Sequence, residues 1–262
     1  MTVTYQWVDE PSGTGLAPNA VVLSSFPSAG FAGTVAAHYV LRALNLRRIG
    51  TLESPDSPPV AVIQSGEVQP PIRVYGRADL AVVVSEFPPT VASSASIARA
   101  ILDGAVAHKA RSIICLEGVV PHPADSEAAE GDTVPEETVW AIPARRDPTQ
   151  VKFLEGGKVR FLEDGVIGGV TGALLIGGLH SPIPVSSLLV SARDTEGYPD
   201  NRAGAAMIET LDRLLPELKI DTGPLRGQAE LIERVLRAGM KTRAAVSPPP
   251  EKSSETTTAM YQ

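Results

Sequence analysis

Ala20-Val21-Val22-Leu23-Ser24-Ser25-Phe26-Pro27-Ser28-Ala29-Gly30-Phe31-Ala32-Gly33 holds the pattern from which the rest of the chain can be read. Residues 20–26 form a short apolar run of the kind that makes a buried strand. Pro27 and Ser28 interrupt it. Residues 30–46 then have helical character, with Ser28 placed near the N-cap. The pattern recurs. Residues 79–85 (DLAVVVS) and 111–116 (RSIICL) read as further buried strands, and residues 93–108 between them have helical spacing. Apolar strands separated by helices imply an α/β fold with a mostly parallel central sheet covered on both faces.

The outlying segments extend this scheme. Residues 60–64 and 72–75 read as short strands, and 138–143 and 184–191 as longer ones. Residues 151–162 read as strands around a hairpin turn at Glu155-Gly156-Gly157-Lys158. Residues 168–179 form a glycine-rich helix packed closely on the sheet. Residues 202–215 and 227–240 are amphipathic helices, with Leu231, Val235 and Leu236 on one face of the second. Residues 121–137 are acidic and proline-bearing and read as an exposed loop. The chain divides into a single α/β domain over residues 1–243 and a flexible tail over 244–262.

Composition excludes several function classes. The formal net charge is -7, whereas a general nucleic-acid binder needs a basic face that displaces counterions. A single cysteine, Cys115, allows no internal disulfide and no cysteine metal site. No apolar run reaches the roughly 18 residues of a membrane span, and the first residues lack the basic start and apolar run of a secretory leader. The chain reads as cytoplasmic, with no membrane or nucleic-acid partner.

The search for catalytic chemistry finds little. His38, His108, His122 and His180 fall in no HExxH pair and at no metal-ligand spacing. The phosphate loop GxxxxGK[ST] and the nucleophile elbow GxSxG are absent. Cys115 lies within a buried strand, where a thiolate is disfavoured. No catalytic residue, metal ligand or cofactor is expected. The turn containing Ser28, Gly30 and Gly33 follows a strand and opens a helix, a position where backbone N–H groups bind anions. Close packing of helix on strand explains the same glycines. Asp194, Glu196, Asp200, Asn201 and Arg202 offer either a second ligand site or a capped loop. Asp125, Glu127, Glu130, Asp132, Glu136 and Glu137 offer either a cation or basic-partner site or a solvated surface.

The tail is the more informative feature. VSPPPEKSSETTTA, residues 246–259, has almost nothing to bury and cannot offset its ordering entropy. It ends in Met260-Tyr261-Gln262. Met supplies adaptable apolar contact, Tyr a large ring with a polar tip, and the terminus a carboxylate that a pocket can capture. As a coil, residues 244–262 span about 24 Å root-mean-square and about 60 Å at full extension. Several such tails on a symmetric homo-oligomer would raise a weak affinity through effective concentration.

Five motifs together resemble the proteasome assembly chaperone family, in particular its archaeal Pba-type members. They are Phe26-Pro27-Ser28-Ala29-Gly30-Phe31-Ala32-Gly33; Pro70-Pro71-Ile72-Arg73-Val74-Tyr75; Glu86-Phe87-Pro88; Gly168 to Leu175; and Tyr198-Pro199-Asp200 with Arg202 to Ala206. The resemblance spans roughly residues 20–240. It implies a phosphorylase-like, three-layer α/β/α sandwich. It further implies that Met260-Tyr261-Gln262 is the hydrophobic-Tyr-X motif that enters pockets between α subunits of the proteasome core particle. The expected protein is then an ATP-independent activator or assembly-chaperone homologue, a homo-oligomer (tetramer or pentamer), and not an enzyme. The competing reading is a small-molecule or nucleotide-binding enzyme of phosphorylase-like fold that uses the glycine turn.

Overall fold

Strands that are apolar on both sides must be covered on both faces, and the chain does this with helices drawn from between them. In the computed structural model of the protein, residues 4–11, 16–55, 57, 59–120, 137–193 and 198–231 are described. The elements run β1 (Gln6–Asp9), β2 (Val21–Ser25), a 3-10 turn (Ala29–Phe31), α1 (Ala32–Ala43), β3 (Arg47–Glu53), β4 (Val62–Gln64), β5 (Glu67–Gln69), β6 (Ile72–Arg77), β7 (Leu80–Ser85), α2 (Val91–Ala107), β8 (Ser112–Val119), β9 (Val139–Pro143), α3 (Pro148–Glu155), β10 (Arg160–Phe161), α4 (Gly169–Gly178), β11 (Val185–Ser191) and α5 (Asn201–Leu214). Residues 223–231 are also helical.

One nine-stranded sheet has the order β1-β3-β6-β7-β2-β8-β11-β9-β10, and β4 and β5 pair apart from it. Its centre, β7-β2-β8-β11, is parallel. Antiparallel strands flank it: β6, β3 and β1 on one side and β9 on the other. The parallel part is where helices form the return connections. The antiparallel β6–β7 pair needs only the turn Ala78-Asp79, closed by the Arg77–Asp79 ion pair at 2.7 Å.

Alternation along each central strand feeds two cores. Leu23, Val82, Ile114, Leu116 and Leu188 pack with α1 and α5. Val22, Ala81, Val83, Ile113 and Cys115 pack with α2 and α4. Full burial of each such Leu, Ile or Val contributes roughly 1.5–3 kcal/mol. The result is the three-layer α/β/α sandwich expected from the sequence.

The structure departs from the sequence reading in three respects. Residues 148–155 form helix α3 where strands and a hairpin were predicted. The reason is local: Asp147 caps the helix by accepting from the Gln150 N–H at 2.9 Å, and Pro148 sits in its first turn. Strands β1, β3 and β5 were not predicted, because β1 and β5 are short and polar-containing and β3 opens on Arg47-Arg48 and ends on Glu53, so none shows a continuous apolar run. In the helix at 223–231, Leu225 and Ala229 face the core while Leu231 is exposed, so Leu231 lies off the buried stripe. Val235, Leu236 and the acidic segment 121–136 lie outside the described residues.

Candidate functional site

The two stretches suspected from the sequence, Ser28–Gly33 and Asp194–Arg202, follow β2 and β11 and meet at the carboxyl end of the parallel strands. The Asp200 N–H donates to the Gly30 carbonyl at 2.7 Å. The Asp200 carboxylate accepts from the Arg193 N–H at 2.9 Å and from the Ala203 N–H at 3.0 Å, and so caps α5. Asp194 and Glu196 lie outside the described residues.

The glycines of the turn serve close approach. A methyl group on Gly33 would sit 2.2 Å from the Leu116 carbonyl oxygen, and one on Gly118 would sit 2.0 Å from the Ala29 carbonyl oxygen. Gly30 has φ +57° and is hemmed in by Arg193, Ala192 and Asp200. The Ser28 hydroxyl accepts from the Gly118 N–H at 2.9 Å, tying the helix entry to β8 and leaving α1 without a side-chain cap. Protein atoms lie close beside Gly30 and Gly33, as packing of helix on strand requires.

Phe31 follows Gly30 into the left-handed region at φ 51°. For a residue with a Cβ this costs roughly 1–2 kcal/mol. The ring nevertheless stays 41% exposed, so burial does little to offset the strain.

Two charged groups lie near this end of the sheet. Glu86, just beyond β7, contacts His38 of α1 at 3.2 Å and pairs with the fully buried Arg73. Arg73 also donates to the Pro70 carbonyl at 2.9 Å. Burial pushes the Glu86 carboxyl up, but His38 and the Arg73 guanidinium outweigh it and hold it at about 2. Glu117, on β8, accepts from the Thr171 hydroxyl of α4 at 2.6 Å. Burial raises its carboxyl to about 7 against the opposing effect of that hydrogen bond. The sequence reading singled out neither the buried Arg73 nor the half-buried Glu117 as a charge held within the fold. A lone charge between apolar neighbours, as in Ile72-Arg73-Val74 and Leu116-Glu117-Gly118, was the available signal.

Cys115 is fully buried, and its thiol is pushed up by that burial and by Glu117, which disfavours the thiolate. Among the described residues there is no group of three His, Cys, Asp or Glu side chains that could hold a metal ion. Among the same residues no helix is long and apolar enough to cross a membrane. Met260, Tyr261 and Gln262 lie outside the described residues.

Residues 22–238 match the profile of the PAC2 family. The chain belongs to the PAC2 family. A curated relative, the uncharacterized protein MJ0106 of Methanocaldococcus jannaschii, is 26% identical over 220 residues, covering 84% of each chain. Among solved structures, Pyrococcus furiosus PbaA, described as an archaeal homolog of proteasome-assembly chaperone, is 26% identical with a TM-score of 0.78. That match covers 92% of this chain and 94% of PbaA. Pyrococcus furiosus PbaB, described as an archaeal proteasome activator, shares the fold at 23% identity with a TM-score of 0.72, covering 92% of this chain and 100% of PbaB. The archaeal Pba-type resemblance read from the sequence thus agrees with both the PAC2 match and the structural neighbours.

Proposed function

We propose that this PAC2 protein is a proteasome-binding factor, an ATP-independent activator or assembly-chaperone homologue that acts by binding and not by catalysis. The observation that carries this reading is the likeness to PbaA and PbaB over nine-tenths of the chain, joined to a C-terminus that reads Met260-Tyr261-Gln262. In this reading the tail enters pockets between α subunits of the core particle. Tyr261 fills the pocket and the terminal carboxylate pairs with a basic group. The protein works in the cytoplasm as a homo-oligomer, which multiplies a weak three-residue contact. Tail insertion opens the gate of the α ring only if the open ring binds the tail more tightly than the closed one. The nucleotide-binding alternative draws no support from the glycine turn, whose glycines are spent on packing.

Tyr261→Ala is expected to abolish co-migration with the core particle on native gels while leaving the melting temperature unchanged. Co-migration equal to that of the wild-type chain would remove the tail from the mechanism. Peptide hydrolysis by the core particle, measured with and without the protein, separates activator from assembly factor.

A further inference from the structure

The four parallel strands end very differently at their two edges. At the amino edge stand Asn19, Asp79 and Arg111, with Asp79 paired to Arg77 and Arg111 within 3.8 Å of Glu217. At the carboxyl edge an exposed apolar side chain follows every one of the four. These are Phe87 after β7 (42% exposed), Phe31 after β2, Val120 after β8 (63%) and Tyr198 after β11 (52%). Val91, at the start of α2, four residues after Phe87, is exposed as well. Strands about 4.8 Å apart make this edge of the four strands roughly 15 Å wide, and the Asp200–Gly30 bond draws the Tyr198 stretch toward the end of β2. Hydrogen bonds hold the row in place. The Ser85 hydroxyl bonds both the N–H and the carbonyl of Phe87, and Asp200 fixes the Tyr198 loop to Gly30.

The chain that leads to the tail returns to this same edge. After α5, Ile220 lies against Asp212, and both Thr222 and Arg226 bond Glu209. Arg226 also approaches Glu137, just before β9, whose Val139 pairs with Val190 near the end of β11. The helix at 223–231 therefore runs antiparallel to α5, away from the charged edge. It brings Leu231, also exposed, toward the apolar one. Residues 232–262 continue from there and end at Met260-Tyr261-Gln262.

We propose that the carboxyl-edge row of Phe31, Phe87, Val120 and Tyr198 is a second contact surface for the same protein partner that receives the C-terminal tail. This rests on the tail-docking reading above. The helix at 223–231 points the chain toward the edge that carries the row, so a partner held by the tail would be presented to the row. An apolar patch flanked by polar surface is the kind of surface that binds protein. Two linked contacts gain affinity together, because the first raises the local concentration of the second.

The test uses the full-length chain and purified proteasome core particle, with affinity read by biolayer interferometry, mass by light scattering and stability by thermal melting. Phe31→Gly with Tyr198→Ser is expected to weaken binding at least tenfold, with mass unchanged and melting temperature not lowered, since glycine relieves the left-handed backbone. Phe87→Ser with Val120→Ser carries the same expectation and covers a folding failure of the first variant. A chain lacking residues 260–262 is measured beside them. Loss of affinity in both the row variants and the truncated chain supports the proposal. Wild-type affinity in the row variants with loss in the truncated chain overturns the proposal and leaves the tail reading standing. Wild-type affinity in the truncated chain overturns the tail reading and the proposal with it. A fall in mass in the row variants also overturns the proposal, by making the row a contact between copies of this chain.

Discussion

At the start of α1 a methyl group on Gly33 would lie 2.2 Å from the Leu116 carbonyl oxygen, whereas at the start of α4 a methyl group on Gly168 or Gly169 meets nothing within 4 Å. Both stretches are rich in glycine, and both open a helix above the sheet. In the first, glycine is required because the helix backbone touches strand β8. In the second, Gly168 has an ordinary extended φ of -103°, and only Gly169, at φ +62°, uses the freedom of the residue. A glycine-rich helix entry is thus compatible with a closed junction or an open one. Neither requires a ligand.

The sharpest way to break this comparison is Gly33→Ala. It should destabilise the protein by about 3 kcal/mol, since α1 must lift from β8. For a chain of this size that corresponds to a fall of about 10 °C in melting temperature. An unchanged melting temperature would mean that the junction is looser than its geometry states.

Glu117 joins the two regions, since it precedes Gly118 of the closed junction and bonds Thr171 in the first turn of α4. Its carboxyl is raised to about 7 in the fold, above the roughly 4.3 of a free glutamate. The folded protein therefore holds a proton that the unfolded chain has released. The stabilisation is complete below about pH 4.3 and is lost as pH rises through about 7. Glu117→Gln should flatten that part of the stability profile and make the variant more stable than the wild type at pH 8. Denaturant titrations at pH 5 and pH 8 check this; parallel profiles for the two proteins would contradict it.

The smallest effects belong to the open junction. Gly169→Ala should cost about 1 kcal/mol, because alanine must enter the left-handed region. Gly168→Ala should change stability by less than about 0.5 kcal/mol. Thermal melts of the two variants beside Gly33→Ala complete the series. A large loss at Gly168 would erase the distinction between the junctions.

Much of the architecture could be read from residue order. Val21 to Ser25, Leu80 to Ser85 and Ser112 to Leu116 are apolar on both sides and bounded by turn residues, and so can only be strands buried between two layers. The motifs that resemble the archaeal Pba-type proteins, and the sequence Met260-Tyr261-Gln262, are equally one-dimensional. Local capping was legible too, at Asp200 ahead of α5. It was missed at Asp147-Pro148, where hydrophobic alternation was weighed above the capping residue.

Residue order could not supply distances between segments remote in sequence. Whether Gly33 faces a ligand or the Leu116 carbonyl depends on how closely α1 approaches β8, some eighty positions away. That Arg73 finds Glu86, and that the half-buried Glu117 meets Thr171, follow from sheet register and helix placement. The carboxyl-edge row is of the same kind. Phe31, Phe87, Val120 and Tyr198 are scattered over nearly 170 positions, and only the parallel alignment of β7, β2, β8 and β11 brings them to one edge of the sheet. Local propensity and patterning act within a few residues, while such neighbours are created when the sheet closes and its two cores pack.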